Sequence, residues 1–375
     1  MLSGTGSAIQ PTTVPPSAVQ PSKQSGAERL LTVAEMRTDL RVLRQALAEA
    51  HGGYDRFASR AVVNARLAAY ESSIRAPRSH QQFMPVVANA VASMQDGHLR
   101  LEYDPETNYA LANAHIFPLR VALEGPRLVV VANDARENAT PRPGMEIERI
   151  NGMLAADIVQ KLLPLVSGDG YIETGRRIRL GREFASLYWL YLSRAEQFDV
   201  VARDTGGARV SARVAGVLER DRRQVENAVN ARYAANAKGL DSTTGLIGVQ
   251  FLAGDSVARL RIRGFDGEKF PVTLDSAFQR IRERGVSRVV LDLRGNGGGV
   301  DEFGALLVGH FVASPFRYFD RIHLPSIAPH FATWTERTLV SLREGTVADP
   351  RGGYLVTPKY HTGVGEQQPA AAPFS

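Results

Sequence analysis

The stretch Val289-Val290-Leu291-Asp292-Leu293-Arg294-Gly295-Asn296-Gly297-Gly298-Gly299 runs a short apolar segment straight into a glycine-rich turn. Four apolar side chains in five positions read as a strand buried on both faces. A helix is expected next, over residues 301–311, with Asp301 and Glu302 in its first turn, where the helix dipole favours acids. Strand, glycine loop and helix together make an alternating α/β unit. Such a turn aims several backbone N–H groups at one point, which suits a phosphate, a carboxylate or an oxyanion formed in a reaction. A dinucleotide fingerprint counted from Gly295 needs a glycine at its sixth position, where Val300 stands, and no Gly-Lys-Ser/Thr ending follows. The nucleotide readings are therefore poor. An oxyanion site remains, and it calls for a nucleophile and a base elsewhere; the plain alternative is a tight turn with no ligand.

Upstream of the loop, Leu246–Phe251 and Val257–Ile262 read as paired strands, and 273–284 as a helix with Leu274, Phe278 and Ile281 inward and Gly285 as its stop. Nearer the start, Thr32 with Glu35 and Ser79 with Gln82 make capping-box patterns, each opening a helix with an apolar stripe. A further helix is expected over about 59–74. The helix after Ser79 stops at Asp96-Gly97, and Leu99, Leu101 and Tyr103 then alternate as a strand would. His98 would sit on that helix–strand junction, held still at the edge of a core. Strands broken by Glu124-Gly125-Pro126 cover 116–131. Pro143-Gly144 turns into alternating Met145, Ile147 and Ile150, and Asn151-Gly152 is a hairpin pair. A short helix over 157–163 follows. Residues 171–217 read as mixed, with strands near 198–201 and 210–217; residues 219–244 read as an exposed helix or linker. Residues 1–27, rich in Ser, Thr, Pro, Gln and Gly, are expected to be disordered and lack the pattern of a secretory signal.

With 375 residues the chain has room for two or three domains. It contains no cysteine, which removes disulfides, zinc-thiolate sites and thiol nucleophiles together. A formal charge of +6 raises nucleic acid as a partner, yet the arginines are scattered. The densest group, Arg176, Arg177, Arg179 and Arg182, reads as a solvated face. No nucleic-acid partner is expected, and no apolar run is long enough to cross a bilayer. The eight histidines include no His-Glu-x-x-His and no close pair, so neither a metal nor another cofactor is expected.

The segment Val290–Gly299 resembles the Asp-Leu-Arg-x-Asn-x-Gly-Gly signature of the tail-specific, C-terminal-processing serine proteases, family S41. Asp96-Gly97-His98 is similar to that family's Asp-Gly-His-Thr segment, with Leu99 in place of threonine. Pro143–Ile147 with Ile150-Asn151-Gly152 resembles part of a PDZ domain, and 246–265 the opening of the protease core. The likeness runs over about residues 30–315 in the family's order. It implies an α+β and α/β multidomain chain: a linker (1–27), an N-terminal helical region (28–103), a PDZ-like β region (104–170), a mixed connection (171–244) and an incomplete ClpP/crotonase-like S41 core (245–375). Gly297 or Gly298 would lend an N–H to an oxyanion hole, and Asp292 and Asn296 would shape the loop. His98 would be the general base in a tricorn-like mechanism; a Ser-Lys pair is the other branch. Protein or peptide substrates would be held by their C-termini through strand addition to the PDZ-like sheet. The family favours a periplasmic or secreted setting.

The family's nucleophile follows a strand after the glycine signature, and Ser375 precedes the point where that strand is expected. The nucleophile is therefore expected to be absent from the chain, which would then not hydrolyse peptides. The last third, lacking neighbouring strands, would be poorly ordered or prone to aggregate alone. Two other readings compete: a non-catalytic, peptide-binding relative, and a small-molecule protein whose glycine loop holds an anion.

Overall fold

The computed structural model describes residues 29–135, 140–222, 245–252, 256–328, 330 and 343–374. The expected linker 1–27, most of the polar stretch 219–244, and Ser375 lie outside the described residues.

Both capping boxes form. Thr32 accepts the Glu35 N–H while the Glu35 carboxylate accepts the Thr32 N–H, and Ser79 and Gln82 repeat the exchange. They open α1 (Val33–Ala50) and α3 (His80–Ala92), with α2 (Arg60–Ser73) between them. Met36, Leu40, Leu67, Phe83 and Met94 share one core. The strand expected over 99–103 does not form; the segment is irregular. Alternation alone makes no strand without a neighbour to pair with. Leu99 instead packs on the helical core, and the Tyr103 hydroxyl meets that of Tyr191 at 2.5 Å. A short helix, α4 (Pro105–Ala112), leads out of this region.

A second core is built on an antiparallel sheet. Its strands are β2 (Leu119–Glu124), β3 (Arg127–Asn133), β4 (Glu146–Ile150), β6 (Gln197–Arg203) and β7 (Arg209–Ala215), in that spatial order. A two-residue β1 (His115–Ile116) pairs with β8 (Val217–Leu218), and β5 (Met153–Leu154) folds back on β4. Asn151 and Gly152 both take positive φ, 49° and 79°, as the two-residue hairpin requires. Behind the sheet lie α5 (Ala155–Leu162) and α6 (Glu173–Tyr191). The 19-residue α6 stands where the sequence read as mixed. It buries Leu180, Phe184, Leu187 and Tyr188 against Phe117 and Phe198. Nor do its arginines merely face water. Arg176 donates to the Leu163 and Val166 carbonyls, and Arg179 to those of Ser167 and Gly97.

The third core carries the glycine loop. Strands β9 (Ile247–Leu252) and β10 (Val257–Ile262) pair antiparallel, and β11 (Arg288–Asp292) joins β10 in parallel. The crossover is α7 (Phe270–Glu283), closed by Gly285 at φ 64°, and α8 (Asp301–Gly309) follows the loop. Ile247, Leu260, Ile262, Phe278 and Ile281 fill the space between sheet and helices. The expectation of a fully buried strand is overturned: among the described residues β11 pairs on one side only, and Val290 is 51% exposed and Leu291 38%. An apolar sequence does not distinguish a central strand from an edge.

Candidate active site

The turn after β11 is tied down residue by residue. Asp292, whose side chain is 3% exposed, accepts Nε and Nη2 of Arg294, each at 2.8 Å, and the Arg294 N–H at 3.2 Å. Those bonds hold its carboxyl well below the usual carboxylate range, against the opposing effect of burial. Asn296 donates through Nδ2 to the Ile262 carbonyl at 3.1 Å and accepts the Gly298 N–H through Oδ1 at 2.7 Å. The far side is zipped to the segment after β10: Phe265 N–H to Gly298 O at 3.0 Å, Val300 N–H to Phe265 O at 2.7 Å. Only glycine fits at 299, where φ is 141° and a Cβ would lie 2.0 Å from the Phe265 carbonyl oxygen.

These bonds separate the two glycines singled out in the sequence. The Gly298 N–H is taken by Asn296. Among the described residues the Gly297 N–H has no hydrogen-bond partner, and open space lies where a Cβ at 297 would stand. Of the two, Gly297 therefore keeps the free donor.

His98 belongs to the helical region. Its side chain is 97% exposed, with Nδ1 3.6 Å from Asp96 Oδ1. Because no strand follows, it is not clamped at a core edge. No described hydrogen bond or ion pair joins it to the glycine loop. Asp96 is better held, accepting the His98 N–H on Oδ1 at 2.7 Å and His51 Nε2 on Oδ2 at 2.9 Å. Burial works to raise its pKa, but the His98 amide and His51 outweigh it, so the net shift is downward. His51, not singled out in the sequence, closes α1. Its Nδ1 accepts the Gly53 N–H at 3.1 Å, so its proton sits on Nε2, facing Asp96. Only its place before Gly52-Gly53 could have drawn notice; its partner lies on another element.

A second feature lies at the β2 edge of the large sheet. Among the described residues strand β2 has a neighbour on one side only, and α6 crosses its flank so closely that a Cβ at Gly181 would stand 2.9 Å from the Val121 carbonyl oxygen. Beside that crossing is a cleft of about 320 Å³, bordered by Val131, Ile178, Arg120, Arg177, Arg182 and Arg222. Arg120 and Arg222 share Asp134, at 2.9 and 3.2 Å, and among the described residues Arg120 Nη2 is buried without a hydrogen-bond partner.

A glycine turn between a parallel strand and a helix, with the Gly297 N–H left free among the described residues, has the geometry that backbone anion sites use. Residues 256–318, which contain it, match the family model of Peptidase family S41. In that segment the chain is a relative of the S41 peptidases. Among solved structures, mature CPAF is 15% identical with a TM-score of 0.49, covering 78% of this chain and 60% of that one. The photosystem II D1 C-terminal processing protease is 16% identical with a TM-score of 0.31, covering 77% and 66%. The chain therefore spans about 60% of the length of mature CPAF. No curated protein sequence matches it significantly.

Proposed function

We propose that this chain serves a serine-type endopeptidase of the tail-specific S41 class, acting on peptide bonds of protein substrates. The observation that carries this reading is the free Gly297 N–H on an Asn296-braced loop within the S41 segment. Gly297 would receive the oxyanion, with Asp292 and Asn296 keeping the loop in shape, and His98 is the base candidate. We assign the nucleophile to none of the serines in residues 1–375, and expect these residues alone to bind peptide without hydrolysing it.

The test uses the complete gene product and an unstructured protein substrate. Gly297→Pro removes the N–H and should lower kcat by about 10²–10³, the usual cost of one oxyanion donor. Gly297→Ala keeps the N–H in open space and should cost little. Equal activity of the proline variant and wild type would remove the loop from the reaction.

A second reading, a peptide-binding relative without catalysis, is favoured by the β2–α6 cleft. The sheet would act as a PDZ-like module, with arginines bordering the carboxylate's place and the peptide adding to the β2 edge. Anisotropy of a labelled peptide decides it: a free C-terminus should bind and its C-terminal amide should not. Equal binding of both would exclude C-terminal capture.

A further inference from the structure

The turn after α3 and the loop before α6 bring together three metal-ligating side chains, two of them near neighbours in the sequence and the third far from both. Asp96, His98 and Asp169 each present one ligand atom, and the three atoms lie within 4.8 Å of one another. We propose that they form a binding site for a single divalent transition-metal ion, with Zn²⁺ the best fit.

The donor set is one imidazole nitrogen and two carboxylate oxygens. Imidazole selects for zinc and its neighbours over magnesium and calcium, and two ionised carboxylates neutralise a divalent charge. Three protein ligands leave a position for water, the pattern of an open zinc site. Each carboxylate is also oriented by a donor outside the trio. His51 Nε2–H holds Asp96 Oδ2, and the Gly97 N–H holds Asp169 Oδ1 at 2.8 Å. Support of that kind fixes ligand direction and tunes affinity.

The two segments are fastened to each other independently of any ion. The Gly170 N–H donates to the Gln95 carbonyl at 2.8 Å, Gln95 Nε2 to the Gly170 carbonyl at 3.1 Å, and Arg179 to the Gly97 carbonyl at 3.1 Å. The carboxylates are therefore in place beforehand, and only the His98 ring, exposed and free to turn, must settle. The site has a consequence that rests on the proposed function: an ion on His98 occupies the lone pair a general base uses, so metal would inhibit. Binding itself does not depend on that reading.

The experiment titrates the full chain with ZnCl₂ against a chromophoric zinc indicator. Wild type should withdraw one Zn²⁺ per chain. His98→Ala and Asp169→Asn should weaken that uptake at least about tenfold. Asp169→Asn retains an oxygen to accept the Gly97 N–H, and His98 is exposed, so both variants should melt like wild type. His115→Ala, at an exposed histidine elsewhere, should bind normally. No uptake by wild type, or equal uptake by His98→Ala, overturns the site. If zinc binds as expected but peptide cleavage by the complete gene product is indifferent to it, the metal site stands and His98 loses its catalytic role.

Discussion

Asp292 keeps its carboxylate ionised because Arg294 donates to both of its oxygens while the rest of the side chain is covered. Its folded pKa lies below its unfolded one, so its contribution to stability is fully present above the ordinary carboxylate range. That contribution should fade as pH falls through and below about 4. Urea denaturation at pH 6 and pH 3 should show wild type losing more on acidification than Asp292→Asn. An equal loss would mean the pair does not couple to folding. Arg294 itself is largely exposed, so added salt should narrow the difference. Asp292 and Asn296 could be picked from the sequence through its likeness to the S41 signature. Which of Gly297 and Gly298 keeps its N–H free could not, since that depends on the conformation that turns the Asn296 amide onto Gly298.

At the scale of elements, capping boxes, hairpin turn and helix stops were legible because each is a contact between near neighbours in the chain. Helix α6 was not. Its arginines read as a water-facing run, and only the tertiary structure reveals carbonyls of the neighbouring turns waiting to receive Arg176 and Arg179. The approach of α6 to β2 is set by Gly181. Gly181→Ala gains about 1 kcal/mol of helix propensity, yet it drives a methyl toward the Val121 carbonyl. We expect a net loss of about 1–3 kcal/mol in urea denaturation. A stabilised variant would show that α6 can lift from the strand at no cost.

Across the whole molecule, three cores are strung along the chain: helical, antiparallel and α/β. The α/β sheet ends at β11, where Val290 and Leu291 stand exposed beside an unpaired backbone edge among the described residues. Such an edge templates association. Val290→Lys should lower light scattering at fixed protein concentration and leave stability within about 0.5 kcal/mol, as for other surface changes. Unchanged scattering would place the sticky surface elsewhere. By itself the sequence determined the capped helices, the Asn151-Gly152 hairpin, the strand–glycine loop–helix unit and its family likeness, because propensity, capping and turn chemistry act over a few residues. Tertiary structure alone decided that β11 is an edge, that α6 lies along β2, and that Asp169 meets Asp96 and His98. Those are contacts between distant segments, made only when separate apolar faces are buried together.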